Sequence, residues 1–154
     1  MTFLETVCQA LDKAGVRYAI VGGYAVALHG AVRGTVDVDC VINWNEKSLN
    51  LAEKAINGIG LVSRLPITAD DIFQFRDEYI HNRNLLAWSF YNPQDLSQQL
   101  DLLIYFDLKG KKTKSFAIGD QFINVLDKKA LIAMKRQSGR PQDLADIRAL
   151  EQLP

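Results

Sequence analysis

The stretch from Tyr18 to Ile42, YAIVGGYAVALHGAVRGTVDVDCVI, decides the fold. Tyr18 to Val21 is a short apolar run that reads as a buried strand, and Gly22-Gly23 breaks it. Tyr24 to Leu28 reads as a short helix entered directly from that turn, with Gly30 at its end. Val36 to Ile42 is β-branched and alternating, so it reads as a second strand carrying Asp37 and Asp39. With a side-chain period of two, both carboxylates point to one face, roughly 6.6 Å apart along the strand, while Val36, Val38 and Cys40 take the other. Two carboxylates so close are costly unless water or a counter-charge offsets them, and an oxygen pair of this kind suits Mg2+. The glycines let the backbone turn sharply and let a phosphate approach N–H groups at a helix start. Neither the dinucleotide-binding G-x-G-x-x-G nor a P-loop is present, since the spacing and the Lys-Ser/Thr are absent. Taken singly, the turn is explained by sterics and the acid pair by a sheet face open to water.

Working outward, Thr2-Phe-Leu-Glu5 is a capping-box sequence that opens a helix with Leu4, Val7 and Leu11 on one face, and Gly15 stops it. Asn45 caps a helix to about Asn57, with Leu49, Ala52 and Ile56 inward. Residues 61–64 read as a strand, and Thr68 caps a short helix through Phe75. Strands follow over Arg83 to Phe90 and Leu100 to Phe106, a turn over residues 107–111, and a short strand over Gln121 to Val125. Asp127 caps a helix through about Arg136 that Ser138-Gly139 ends, and Pro141 starts a last helix carrying Leu144, Ile147 and Leu150. Helices and strands alternate without a βαβ rhythm. That predicts an α+β or irregular α/β layer fold, as a single domain over residues 1–154.

Two further places carry chemistry. In the strand at Leu100 to Phe106, Leu100, Leu102, Ile104 and Phe106 line one face, while Asp101, Leu103 and Tyr105 line the other. A carboxylate in so apolar a strand asks for a partner, or for a strand end in solvent. Lys135 and Arg140 bracket a helix–loop–helix corner, so both cations can converge on one anion. The other reading has them satisfy helix C-terminal carbonyls while Asp143 and Asp146 balance the next helix dipole.

Composition narrows the class. The 154 residues include 18 Lys and Arg against 18 Asp and Glu, and that zero net charge excludes a polycation coating nucleic acid by charge alone. Hydrophobic residues make up 48% and charged residues 23%, which excludes disordered and fibrous chains. Cys8 and Cys40 have no metal-ligand spacing and read as reduced, buried thiols. His29 and His81 stand far apart with no nucleophile beside them, so neither a triad nor a zinc pattern is found. The longest apolar stretch, Tyr18 to Leu28, is 11 residues with two glycines, too short for a membrane span. Glu5 and the lack of a basic leader argue against a secretory signal, so the expected compartment is the cytoplasm.

In combination these features are more specific. Gly22-Gly23, a short helix, Arg33-x-Thr35-x-Asp37-x-Asp39 and a later strand acid at Asp101 together resemble the nucleotidyltransferase superfamily built like DNA polymerase beta. The run Val21 to Asp39 looks like the small bacterial branch that includes AbiEii-type toxins and lincosamide nucleotidyltransferases. The tail, with Leu131-Ile-x-Met-Lys135, Gly139-Arg140-Pro141 and Asp143-Leu-x-Asp146-Ile147, looks like it too, so the resemblance spans roughly residues 18–150. It implies a nucleotidyltransferase fold, with a mixed twisted sheet flanked by helices. It also implies Mg2+ or Mn2+ held by Asp37, Asp39 and Asp101, with Asp101 as general base on an acceptor hydroxyl. Gly22, Gly23, Arg33, Lys135 and Arg140 would bind the phosphates of an NTP. The implied acceptor is an RNA, a protein or a small molecule. The alternative it leaves is a non-catalytic module that binds nucleotide or a cognate partner protein, as in a toxin–antitoxin-like pair. One departure is the Gly22-Gly23-Tyr24 turn, where the family often has Gly-Ser.

Overall fold

A computed structural model describes residues 1–31 and 37–154, so Arg33, Thr35 and Val36 lie outside the described residues. Helix α1 (Phe3–Lys13) is opened by Thr2, whose hydroxyl accepts the Glu5 N–H while the Glu5 carboxylate accepts from the Thr2 backbone N–H. Its Leu4, Val7, Cys8 and Leu11 are buried. Strand β1 (Tyr18–Val21) is buried at every position, as expected for a strand covered on both faces. Gly22 starts α2 (Gly22–Leu28), and β2 (Val38–Ile42) returns antiparallel to β1. Asn45 caps α3 (Glu46–Gly58) by accepting the Ser48 N–H at 2.8 Å. A two-residue strand β3 (Val62–Ser63) leads to α4 (Ala69–Gln74), which has a Thr68/Asp71 capping box, and to α5 (Arg76–His81). Then come the hairpin β4 (Ala87–Asn92) and β5 (Asp95–Leu103), and the hairpin β6 (Thr113–Ile118) and β7 (Gln121–Leu126). Helices α6 (Lys128–Ser138) and α7 (Pro141–Glu151) pack on each other across a left-handed Gly139.

The strands form one mixed sheet in the order β3-β4-β5-β2-β1-β7-β6. β1 and β2 occupy its centre, with β7 parallel to β1 and β5 parallel to β2. The core joins the buried side chains of these strands, Trp88, Tyr18 and Phe90 among the largest, to Leu11 of α1 and to Leu49 and Ile56 of α3. Among the described residues, no helix is long and apolar enough to cross a membrane.

Several elements differ from the sequence reading, each for a physical reason. β4 starts at Ala87 rather than Arg83, because α5 and a left-handed Asn84 occupy the preceding chain. β5 starts at Asp95 rather than Leu100 and ends at Leu103. Its first residues are exposed and polar, and they are held in the sheet by backbone pairing to β4. Asp101 therefore sits near the end of its strand, not at the beginning. β6 is an edge strand, half or more exposed, whose first three residues are polar. In α7, Leu144 is exposed, and the inward side is made by Asp143, Asp146, Ile147 and Leu150. β2 begins at Val38, so Asp37 stands just ahead of the strand, and Val41 and Ile42 are both buried, which breaks the strict alternation.

Candidate active site

Strand register builds the site. Val21 pairs with Asp39 across β1 and β2, Asp39 with Asp101 across β2 and β5, and Asp101 with Ser89 across β5 and β4. Neighbouring strands lie about 4.8 Å apart, so Asp39 and Asp101 are cross-strand neighbours near one end of the sheet. Where β1 ends, Gly22 turns the chain with φ of 68°. A methyl group on Gly22 would overlap the Asp39 carboxylate, coming within 2.9 Å of its Cγ. Glycine is thus required here twice, by the left-handed backbone and by the carboxylate packed against it.

These residues open into a cleft of about 690 Å³. One part of its lining is Val21, Gly22 and Gly23, with the carboxylates of Asp37, Asp39, Asp101 and Asp143. Leu86, Ala87, Leu103, Tyr105, Leu131 and Met134 supply an apolar part, and Lys135, Ser138 and Arg140 complete it. Among the described residues, the cleft thus sets the carboxylates of Asp37, Asp39, Asp101 and Asp143 beside the cations of Lys135 and Arg140. Burial, followed by the charges of Asp101 and Asp37, pushes the Asp39 carboxyl up to about 7, against a weaker pull from Lys135 and Arg140. Tyr105 is also raised, chiefly by burial, although a hydrogen bond with Ser138 works the other way.

The two late cations do converge on one anion, and that anion is Asp143. Arg140 grips its carboxylate through Nε at 2.8 Å and Nη2 at 3.3 Å, and the Arg140 backbone N–H adds a third bond at 3.1 Å. Burial alone would raise the Asp143 carboxyl, but the Arg140 bonds outweigh it and hold it below the usual range. Lys135, only 6% exposed, reaches Asp143 at 3.6 Å and Asp146 at 2.9 Å. Gln142 donates to the other Asp146 oxygen at 3.0 Å. Asp143 and Asp146 are therefore buried partners of the cations, not exposed complements to a helix dipole.

The cleft brings together Gly22, Gly23, Asp37, Asp39, Asp101, Lys135 and Arg140, whereas Arg33 lies outside the described residues. Ser89 was missed by sequence reasoning. Its hydroxyl donates to Asp101 Oδ1 at 2.6 Å. The only signal is the alternation of β4, where Trp88 and Phe90 are buried and a small polar residue stands between them. His29, by contrast, is engaged with the Leu126 carbonyl at 2.8 Å and packs edge-on to Phe116.

Among the described residues, no three His, Cys, Asp or Glu side chains form a ready cage for a metal ion. Mg2+ does not need one, because it commonly takes one or two carboxylates and fills its shell with phosphate oxygens and water. Asp39 beside Asp101, with Asp37 at the same cleft, fits that requirement.

No protein-family model and no curated protein matches the sequence. Solved structures do match. The antibiotic-resistance factor ANT(2'')-Ia aligns over 96% of this chain and 80% of its own at a TM-score of 0.64 and 10% identity. The lincosamide antibiotic adenylyltransferase LnuA, with lincomycin bound, aligns over 99% and 96% at 0.61 and 15%. An antigenic nucleotidyltransferase-like protein from Paracoccidioides brasiliensis aligns over 96% and 74% at 0.60 and 20%. The fold is that of the nucleotidyltransferases. At these identities the likeness is one of backbone, and it agrees with the mixed sheet and flanking helices that the sequence resemblance implies. LnuA also belongs to the lincosamide branch that the sequence resembles. In the nucleotidyltransferase fold of this chain, Asp39 lies on the central strand β2 and Asp101 on its neighbour β5.

Proposed function

We propose that the chain is a nucleotidyltransferase dependent on Mg2+ or Mn2+, moving a nucleoside monophosphate from an NTP to an acceptor hydroxyl. The observation that carries this reading is the pairing of Asp39 with Asp101 beside the Gly22 turn, in one cleft with Asp37. Asp37, Asp39 and Asp101 would hold the divalent ion, which supplies positive charge against the triphosphate. Gly22 and Gly23 keep side chains out of the cleft wall, so that phosphate oxygens can come close to the backbone. Asp101 takes the proton of the acceptor hydroxyl as its oxygen bonds to the α-phosphorus. The bond from the α-phosphorus to the oxygen bridging to the β-phosphate breaks, and pyrophosphate leaves. Lys135 and Arg140 face the departing charge, oriented by Asp143 and Asp146. Positioning and fixed charge supply most of the rate in such a reaction.

A small hydroxylated molecule is the acceptor class we favour over RNA or protein. Support comes from lincomycin bound to LnuA and from adenylyl-2''-tobramycin in a complex of ANT(2'')-Ia. One observation favours the rival, a module that binds nucleotide without transfer. The charges of Lys135 and Arg140 are already matched by Asp143 and Asp146. Incubation with each α-labelled NTP, Mg2+ or Mn2+, and separate RNA, protein and small-molecule fractions distinguishes them. Label entering the small-molecule fraction, and falling about 100-fold or more in Asp101→Asn, is the expected result. Protein that binds NTP but labels no fraction would overturn the enzymatic reading.

A further inference from the structure

Ser89 occupies an unusually well-fixed seat on β4. Trp88 and Phe90 on either side of it are buried, with ring centroids 4.6 Å apart, and Trp88 Nε1 donates to Ser63 Oγ at 2.8 Å. The Ser89 carbonyl accepts the Arg64 N–H at 2.9 Å, and across the other edge Ser89 pairs with Asp101. A slip of β4 by one residue would turn Trp88 and Phe90 out of the core, so the register that sets Ser89 against Asp101 is enforced by packing. From that seat the hydroxyl donates to Asp101 Oδ1 at 2.6 Å, the length of a charge-assisted bond to a carboxylate. Asp101 lines the cleft and Ser89 does not.

We propose that Ser89 is a positioning residue that holds Asp101 in the orientation in which it and Asp39 share a divalent ion; this rests on the nucleotidyltransferase reading above. Asp101 stands beside a second carboxylate, and repulsion between them favours turning away. The Ser89 hydroxyl opposes that turn by occupying one oxygen in a fixed direction. Hydrogen-bond partners behind a ligating side chain typically contribute about 10–100-fold to metal affinity. The same bond adds little to folding, because β4 and β5 are already joined by their backbone ladder from Ala87 to Asn92.

The test is Mn2+ binding to the full chain without nucleotide, read from the electron paramagnetic resonance of free Mn2+, with thermal melting of the metal-free proteins alongside. Wild type, Ser89→Ala, Ser89→Thr and Asp101→Asn are compared. Ser89→Ala is expected to weaken Mn2+ binding about 10-fold or more with little change in melting, and Ser89→Thr, which keeps the hydroxyl, to recover most of the loss. Equal affinity in wild type and Ser89→Ala, with Asp101→Asn weakened, overturns the role of Ser89 and leaves the metal site standing. Weakening that tracks a lowered melting temperature and is not recovered by Thr overturns it as well, since the effect is then structural. Wild type that binds no Mn2+ overturns the metal-site reading and this inference with it.

Discussion

The crowding of Asp39 has a consequence for stability that can be measured without any substrate. Its carboxyl is raised from an ordinary 3.8 to about 7, first by burial and then by the neighbouring charges of Asp101 and Asp37. The folded chain therefore holds this proton more tightly than the unfolded chain does. Its contribution is fully present below about pH 4 and is lost as pH rises towards 7. At about 1.36 kcal/mol per unit, three units correspond to about 4 kcal/mol. Water in the open cleft screens part of that, so about 2 kcal/mol is a realistic figure. Asp39→Asn keeps the shape of the side chain against Gly22 and removes the charge. In urea unfolding with EDTA present, we expect the variant to gain about 2 kcal/mol over wild type at pH 8 and less than about 1 kcal/mol at pH 5. Added Mg2+ should close the gap, because it stabilises only a chain that binds it. A variant no more stable at pH 8 than at pH 5, relative to wild type, or destabilised at both, would refute the reasoning.

Other outcomes follow from the same geometry. Gly22→Ala should cost about 2 kcal/mol or more in urea unfolding, from the left-handed backbone and the displaced Asp39, and should weaken Mg2+-dependent nucleotide binding; an Ala variant of unchanged stability would contradict the close approach. Lys135→Met should destabilise by about 3–5 kcal/mol, because it breaks the buried ion pairs that Lys135 makes with Asp146 and Asp143. Adding Asp146→Leu should restore part of that loss, and a double variant weaker than the sum of the singles would refute it. Burial pushes the Cys8 thiol up to about 12 and Cys40 well above its ordinary value, so neither should react with a disulfide reagent at pH 8 until the protein unfolds. Rapid native reaction of either thiol would place it nearer the surface.

What the sequence makes legible is whatever is local. The Gly22-Gly23 break, the Thr2, Asn45 and Thr68 caps and the Gly139-Arg140-Pro141 corner each lie within a few residues and are found where expected. Asp37 and Asp39 stand out for the same reason. Asp101 becomes meaningful only through a parallel pairing of strands about 60 residues apart, and no periodicity within Leu100 to Phe106 announces that pairing. The resemblance to a known family supplied it. Ser89 needed two registers at once, β4 on β5 and β5 on β2, so the sequence alone is silent about it. The polar half of β5 is held in the sheet by backbone pairing rather than apolar burial, and the edge strand β6 offers only Phe116 and Ile118 to the core, too little for a period to show. For the buried Asp143 and Asp146, reading α7 by hydrophobic spacing put Leu144 inward, whereas Lys135 on α6 draws the two acids in.

The central claim is that Asp39, Asp101 and the Gly22 turn form a metal-dependent nucleotide site. Its most direct test is calorimetric titration of wild type and Asp39→Asn with a non-hydrolysable NTP analogue, in Mg2+ and again in EDTA. The account expects binding to wild type in Mg2+, with affinity lost in EDTA and lost equally in Asp39→Asn. Binding of the same strength in all these conditions, or no binding to wild type in Mg2+, would contradict it.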